Sequence, residues 1–156
     1  MKKIILFLII LFTNKIQAQI LINNGSPYNT PSYLINNILL GGGITTNNHS
    51  FIGDSNQIGF FNAINSNLDI DSGIVLSSGS IYDLFGPNAN GGTTTSFFGA
   101  GDPTLDAVIS PDPTLDAAVL EFDFIPNSDT ISFKYVFGSE EYLEFVNSYN
   151  DAFGFF

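Results

Sequence analysis

Residues 118–137 read AVLEFDFIPNSDTISFKYVF, and this stretch decides the fold class. Its two ends, AVLEFDF (118–124) and ISFKYVF (131–137), combine aromatic and β-branched side chains, which suit a pleated, half-buried surface. Between them, IPNSD supplies Pro126 and Asn127. Pro has a φ already set for a turn, and Asn can bond its own backbone. The stretch predicts two strands joined as a hairpin.

Toward the N-terminus the same grammar repeats. Residues 44–52 are Thr/Asn-rich with β-branched side chains, and residues 58–62 (IGFFN) are short and aromatic; both predict strands. Over residues 64–76 the apolar side chains Ile64, Leu68, Ile70, Ile74 and Leu76 fall on even positions, with Asn65, Asn67, Asp69 and Asp71 between them. That alternation fits a half-buried strand or an extended loop feeding one, with Gly73 marking a bulge or a turn. One helix stands out. Thr30-Pro31 suits an N-cap and first helical position, Leu34, Ile35, Ile38 and Leu39 recur at helical spacing, and three glycines at 41–43 end it.

Between Asp83 and Asp116 the chain is rich in Gly, Asn, Thr, Asp and Pro, and it contains DPTLDA twice, at 102–107 and 112–117. Two copies do not make a solenoid, which needs at least ~3 stacked units. Each copy opens with Asp-Pro, a cap and first helical residue, so each predicts a short helical turn. A loop of this length in a small domain is commonly functional, which makes it the expected ligand-facing surface. Residues 152–156 read as a last strand. Because the chain ends inside the aromatic run FGFF, the expected domain is incomplete at its C-terminus. Taken together, residues 19–156 predict a mainly β, sandwich-like domain with one N-terminal helix and short helical turns.

The first eighteen residues have a different logic. Lys2 and Lys3 precede an unbroken apolar run of nine residues (IILFLIILF, 4–12), and a more polar stretch ends at small Ala18. The run is too short for the ~20 residues a bilayer-spanning helix needs, so it reads as a secretory signal peptide. Cleavage after Ala18 would leave Gln19 first, although Ile16 at the −3 position is larger than usual. The chain has no Cys, which excludes both a lipid-anchored lipoprotein and any disulfide support. Without the signal, Lys134 is the only base against 15 acidic residues, a formal charge of −14. Such a surface repels phosphates and has no basic patch to release counterions, so nucleic acid and anionic lipid are excluded as partners.

Several segments together resemble the choice-of-anchor L domain of bacterial surface proteins. They are LINNILLGGGITTNN, IGFFNAINSNLDIDSGIVLSSG, DAAVLEFDFIPNSDTISFKYVFGSEEYLEFV and NDAFGFF, and the resemblance spans most of residues 30–156. Its most specific part is VFGSEEYLEFVNSYNDAFGFF, in which Leu143 replaces the usual Pro. The resemblance implies a β-sandwich module carried by proteins with differing C-terminal anchors, with no implied catalytic activity.

The residues themselves offer no catalytic set. His49 is the sole histidine and reads as a surface or edge residue; there is no G-x-S-x-G elbow, P-loop or dinucleotide fingerprint, and one His cannot supply a catalytic zinc site. Glu140 and Glu141 are adjacent and diverge on either a strand or a helix, so they make a poor acid pair. In the structural reading, Ser139 caps a short helix whose positive end the glutamates complement. Calcium is the better use of the acids, since it takes six to eight oxygens from carboxylates, Asn carbonyls and backbone. The best cluster is Glu140, Glu141, Asn150 and Asp151, with Asp69 and Asp71 second, against the simpler alternative of a solvated acidic face. Neither cluster follows the EF-hand pattern, in which a Gly would replace Ser72.

Three functions compete: a non-catalytic extracellular or cell-surface module serving adhesion, a calcium-dependent carbohydrate- or peptide-binding domain, and part of a polysaccharide-active enzyme. Phe97 and Phe98 in TTTSFFGAG would suit sugar stacking, or equally core packing, while the lack of Trp counts against a sugar platform.

Overall fold

A computed structural model describes residues 19–41, 43–86, 92–109, 113–140, 142, 145–146 and 148–156. The signal segment 1–18, Glu141, Leu143 and the start of the second DPTLDA copy (Asp112) lie outside the described residues. The fold is mainly β, with antiparallel strands and few short helices.

Three strands form the first sheet in the order β1–β3–β4: β1 is Leu21–Asn23, β3 is Ile58–Asn62 and β4 is Ser72–Leu76. The second sheet pairs β2 (Thr45–Ile52) with β5 (Val119–Ile125), also antiparallel. Its register shifts between Asn47 and Ser50, where Asn48 takes φ 52°. Asn tolerates this left-handed conformation, and its amide bonds across the bulge to Asp123 Oδ2 at 2.5 Å.

The predicted helix forms as α1 (Pro31–Tyr33) and then widens into a π-helical stretch, Leu34–Leu39. Thr30 stands at the N-cap position, but its side chain makes no capping bond. The Asn37 amide donates to the Tyr33 carbonyl at 3.1 Å, taking the acceptor that an α-helix would offer to the Asn37 N–H. Leu40 N–H correspondingly reaches back five residues to the Ile35 carbonyl, 3.0 Å away. The helix touches β2 through α1 and β3 and β4 through its π-helical part, so it bridges the two sheets. Its buried Leu34 and Ile35 join Ile22, Ile58, Ala63 and Ile81 in the apolar centre. Each fully buried large aliphatic side chain there stabilises the fold by about 1.5–3 kcal/mol.

Of the two readings of the alternating run 64–76, the loop feeding a strand is the one that forms: the strand starts at Ser72, and Ala63 N–H closes the β3–β4 connection on the Asp71 carbonyl at 2.7 Å. Two expectations are corrected. First, Gly73 is neither a bulge nor a turn, because it pairs in straight register with Phe61. A Cβ there would stand 2.9 Å from Phe61 Cε1, so the missing side chain makes room for the ring.

Second, residues 131–137 do not return as a hairpin on β5. Beyond the Ile125–Thr45 pair the Asn127 amide bonds the Gly43 carbonyl at 2.7 Å, which prolongs the contact of this connection with the start of β2. Residues 131–137 are exposed and outside both sheets. Their rings meet the C-terminal aromatics: Phe133 with Phe155 at 4.6 Å and Tyr135 with Phe153 at 5.2 Å. Since 133 meets 155 and 135 meets 153, the two segments run antiparallel. Residues 152–156, expected as a strand, likewise belong to no sheet.

Candidate functional site

Buried polar contacts concentrate where the first sheet meets the second DPTLDA copy. Asp54 opens a 3₁₀ turn (Ser55–Gln57) with a capping box: its carboxylate accepts from Asn56 N–H at 2.9 Å, and its own N–H donates to Gln57 Oε1 at 2.5 Å. That bond fixes the buried Gln57, whose amide nitrogen donates to the Ser78 carbonyl (2.8 Å) and the Asp116 carbonyl (2.7 Å). One side chain thus ties the first sheet to the segment leading into β5.

Asp116 is 9% exposed and has φ 51°. Its Oδ2 accepts from the Ser96 hydroxyl at 3.0 Å and from Phe97 N–H at 3.1 Å, and its Oδ1 accepts from Gly99 N–H. Burial pushes the carboxyl upward, but donation by the N–H groups of Gly99, Phe97 and Phe98 and by the Ser96 hydroxyl outweighs it, leaving Asp116 below the usual carboxylate range. A carboxylate offers about four acceptor positions, and hydrogen bonds from Ser96, Phe97 and Gly99 occupy three of those of Asp116. Asp116 organises the 96–99 loop, and the loop presents Phe98 at φ 58° and 92% exposed. Phe97 is half-buried.

The first DPTLDA copy behaves as expected, starting α2 (Pro103–Ile109) with Asp102 Oδ1 accepting from Leu105 N–H at 2.8 Å. The second copy forms no helical turn over its described residues. Leu115 bridges Ala100 antiparallel, and Thr114 binds the first copy. Thr114 N–H and hydroxyl donate to Asp106 Oδ1 at 2.6 and 2.7 Å, while Asp102 N–H donates to the Thr114 hydroxyl at 2.8 Å. Donation from the Thr114 N–H, then its hydroxyl, holds the Asp106 carboxyl below its ordinary range against a small opposing effect of burial.

Of the expected calcium ligands, Asn150 and Asp151 come together. They line a shallow cavity of about 170 Å³ with Ser139, Tyr142, Val146 and Tyr149. Glu140 is half-buried and is not among the lining residues, and Glu141 lies outside the described residues. Asp69 and Asp71 are exposed on the β3–β4 connection. Among the described residues no group of three or more His, Cys, Asp or Glu side chains could hold a metal ion. The expected helix after Ser139 is represented, among the described residues, by turns and one helical bond from Tyr149 N–H to the Phe145 carbonyl at 3.1 Å. His49 lies in β2 with Nε2 2.7 Å from the Thr46 hydroxyl, which itself donates to Asn36 Oδ1 at 2.5 Å. Its partners are structural, linking β2 to the π-helical stretch.

The profile of the choice-of-anchor L domain matches residues 22–156. The chain belongs to the choice-of-anchor L family. Comparison with curated proteins and with solved structures returned no match. As a choice-of-anchor L member, the chain is a cell-surface module of a larger protein and not part of an enzyme family. Among the described residues no helix is long and apolar enough to cross a membrane.

Two organising residues of this choice-of-anchor L domain escaped the reading of the sequence. Gln57 carried a signal, the Asp-x-x-Gln spacing of a capping box at 54–57. Asp116 carried none, since its sequence neighbours are the same as those of Asp106 on the N-terminal side.

Proposed function

We propose that this chain is the exported, non-catalytic display module of a surface protein, with residues 1–18 removed as a signal peptide and residues 19–156 presented outside the cell for adhesion. The family match over 22–156 carries the reading. The basic, apolar and small-residue order of residues 1–18 supports export, and the charge of the remaining chain suits a soluble surface. The aromatic rows of residues 131–137 and 153–156 supply exposed contact area, with Phe133, Tyr135, Phe153 and Phe155 all at least 46% exposed. Protease shaving of intact cells, combined with N-terminal sequencing, tests the reading. The expected result is a shaved protein that begins at Gln19. A protein protected inside the cell, or one retaining Met1, overturns it.

Calcium-assisted binding is a second reading, favoured by the approach of Asn150 and Asp151 to one cavity. An extracellular site of ~10⁻⁴–10⁻³ M affinity suffices in calcium-rich surroundings. Millimolar Ca²⁺ then raises the melting temperature more than Mg²⁺ at matched ionic strength, and Asp151→Asn removes the difference. Equal effects of the two cations reduce the acids to a solvated face.

A further inference from the structure

A second cavity, of about 310 Å³, opens beside the edge strand β1, and nothing in the family match or in the function above assigns it. Its wall is Leu21, Ile22, Asn23, Tyr28, Phe60 and Asn62, drawn from β1, the turn after it and β3. The volume is at the small end of the range that holds small ligands.

Three features of this wall belong together. Its aromatic part is rigid: Tyr28 stacks on Phe60 with centroids 4.7 Å apart and planes 20° apart, and Tyr33 packs edge-on against Tyr28 at 5.7 Å. Its polar part is pre-oriented. Asn23 Oδ1 accepts from Gly25 N–H at 2.8 Å and Asn62 Oδ1 accepts from Ile64 N–H at 3.1 Å, which fixes both side chains. Neither amide nitrogen donates to another described residue, and neither does the Tyr28 hydroxyl. Finally, the wall carries no charge, on a chain with 15 acidic residues.

The geometry points to a binding site for one unit of a neutral saccharide. A sugar ring has an apolar C–H face that packs on aromatic carbon, and hydroxyl oxygens at its rim that accept from fixed amide N–H groups. A cationic ligand would find no carboxylate in this wall, and an anionic one would meet the negative field of the whole chain. An extended peptide added to β1 is the weaker fit, because β1 is only three residues long and offers little ladder. The site deepens the adhesive reading by naming a ligand class, and rests on that reading only for where the ligand is met.

Isothermal titration of the intact protein with neutral hexasaccharides of glucose, mannose, galactose and xylose tests it. At least one of the four binds, and Tyr28→Ala abolishes that binding. Asn62→Asp keeps the acceptor for Ile64 N–H and so preserves the fold, but it removes the amide donor and weakens binding about tenfold, the worth of one well-made hydrogen bond. Tyr28→Phe, which keeps the stacked ring, retains most of the affinity. Failure of all four sugars to bind, sugar binding that ignores Asn62→Asp, or selective capture of extended peptides at β1 overturns the proposal. Because binding is measured on purified protein, its failure leaves surface display standing, and an intracellular location would leave binding standing.

Discussion

The two copies of Asp-Pro-Thr-Leu-Asp-Ala have the same residues and different structures. Residues 102–107 begin α2, capped by Asp102, with Asp106 inside the helix. The described part of the second copy forms no helix: Leu115 bridges Ala100 and Asp116 takes φ 51°. Helix propensities of these residues differ by less than about 1 kcal/mol apart from Pro, which favours the first helical position in either copy. The difference arises from partners outside the hexapeptide. Asp116 can reach the N–H groups of residues 97–99 and the Gln57 amide only by leaving helical geometry, and the gain from those bonds exceeds the cost of a left-handed Asp, ~1–2 kcal/mol. Copy one then recognises copy two, through Asp106 and Thr114.

Replacing the two equivalent aspartates is the strongest way to break this contrast. Asp116→Ala strands the donors of residues 96–99 and places Ala at a positive φ, and it should cost about 3 kcal/mol in urea unfolding. Asp106→Ala should cost clearly less, because Asp106 serves one residue at the surface. Equal losses would mean that the two copies do the same job.

Separating the copies comes next. Gly101 passes so close to Thr114 that a Cβ would stand 2.0 Å from the Thr114 carbonyl oxygen, and backbone cannot yield as a flexible side chain can. Gly101→Ala should therefore destabilise by about 2 kcal/mol, within the usual cost of overpacking. A neutral outcome would show that copy one does not dock on copy two.

Acid sharpens the comparison with a smaller effect. Both carboxyls are held below their ordinary range, so each adds stability that is present above the unfolded value, near ~3.9, and is lost as pH falls through the folded value. Stability should be flat from neutrality to about pH 5 as far as these two groups are concerned, and should fall below about pH 4. In Asp116→Asn the acid slope should shrink, read as unfolding midpoints across the pH series. An unchanged slope would remove Asp116 from the acid transition.

The smallest effect is a paired one. Thr114→Val loses both the donor to Asp106 and the acceptor for Asp102 N–H and should cost about 1 kcal/mol. Its counterpart Thr104 is exposed on α2, and Thr104→Val should stay within about 0.5 kcal/mol. Parity between them would deny that position in the fold, not residue type, sets the value of the threonine.

Legibility followed the same line. Strands with sustained β-branched and aromatic content, 44–52, 58–62 and 118–124, formed close to their expected bounds, as did the helix after Pro31. Residues 131–137 have equal β character yet lie outside both sheets, with the rings of Phe133 and Tyr135 set against Phe155 and Phe153. The expected calcium ligands were chosen by proximity in the chain, which brought Asn150 and Asp151 to one cavity but did not bring Glu140 into its lining. The neutral cavity beside β1 could not be read beforehand, since Tyr28 and Asn62 are neighbours only through the β1–β3 pairing.

By itself, the sequence determined the β class, the family, the export-like order of residues 1–18 and the strongly acidic charge. These depend on composition and on patterns within a dozen residues. The tertiary structure alone decided which DPTLDA copy became a helix, how the Leu34–Leu39 segment is wound, where ISFKYVF lies and which polar side chains became buried anchors. Local preferences amount to less than about 1 kcal/mol per residue, and a few well-placed hydrogen bonds between residues distant in the chain, such as Gln57 to Asp116, outweigh them.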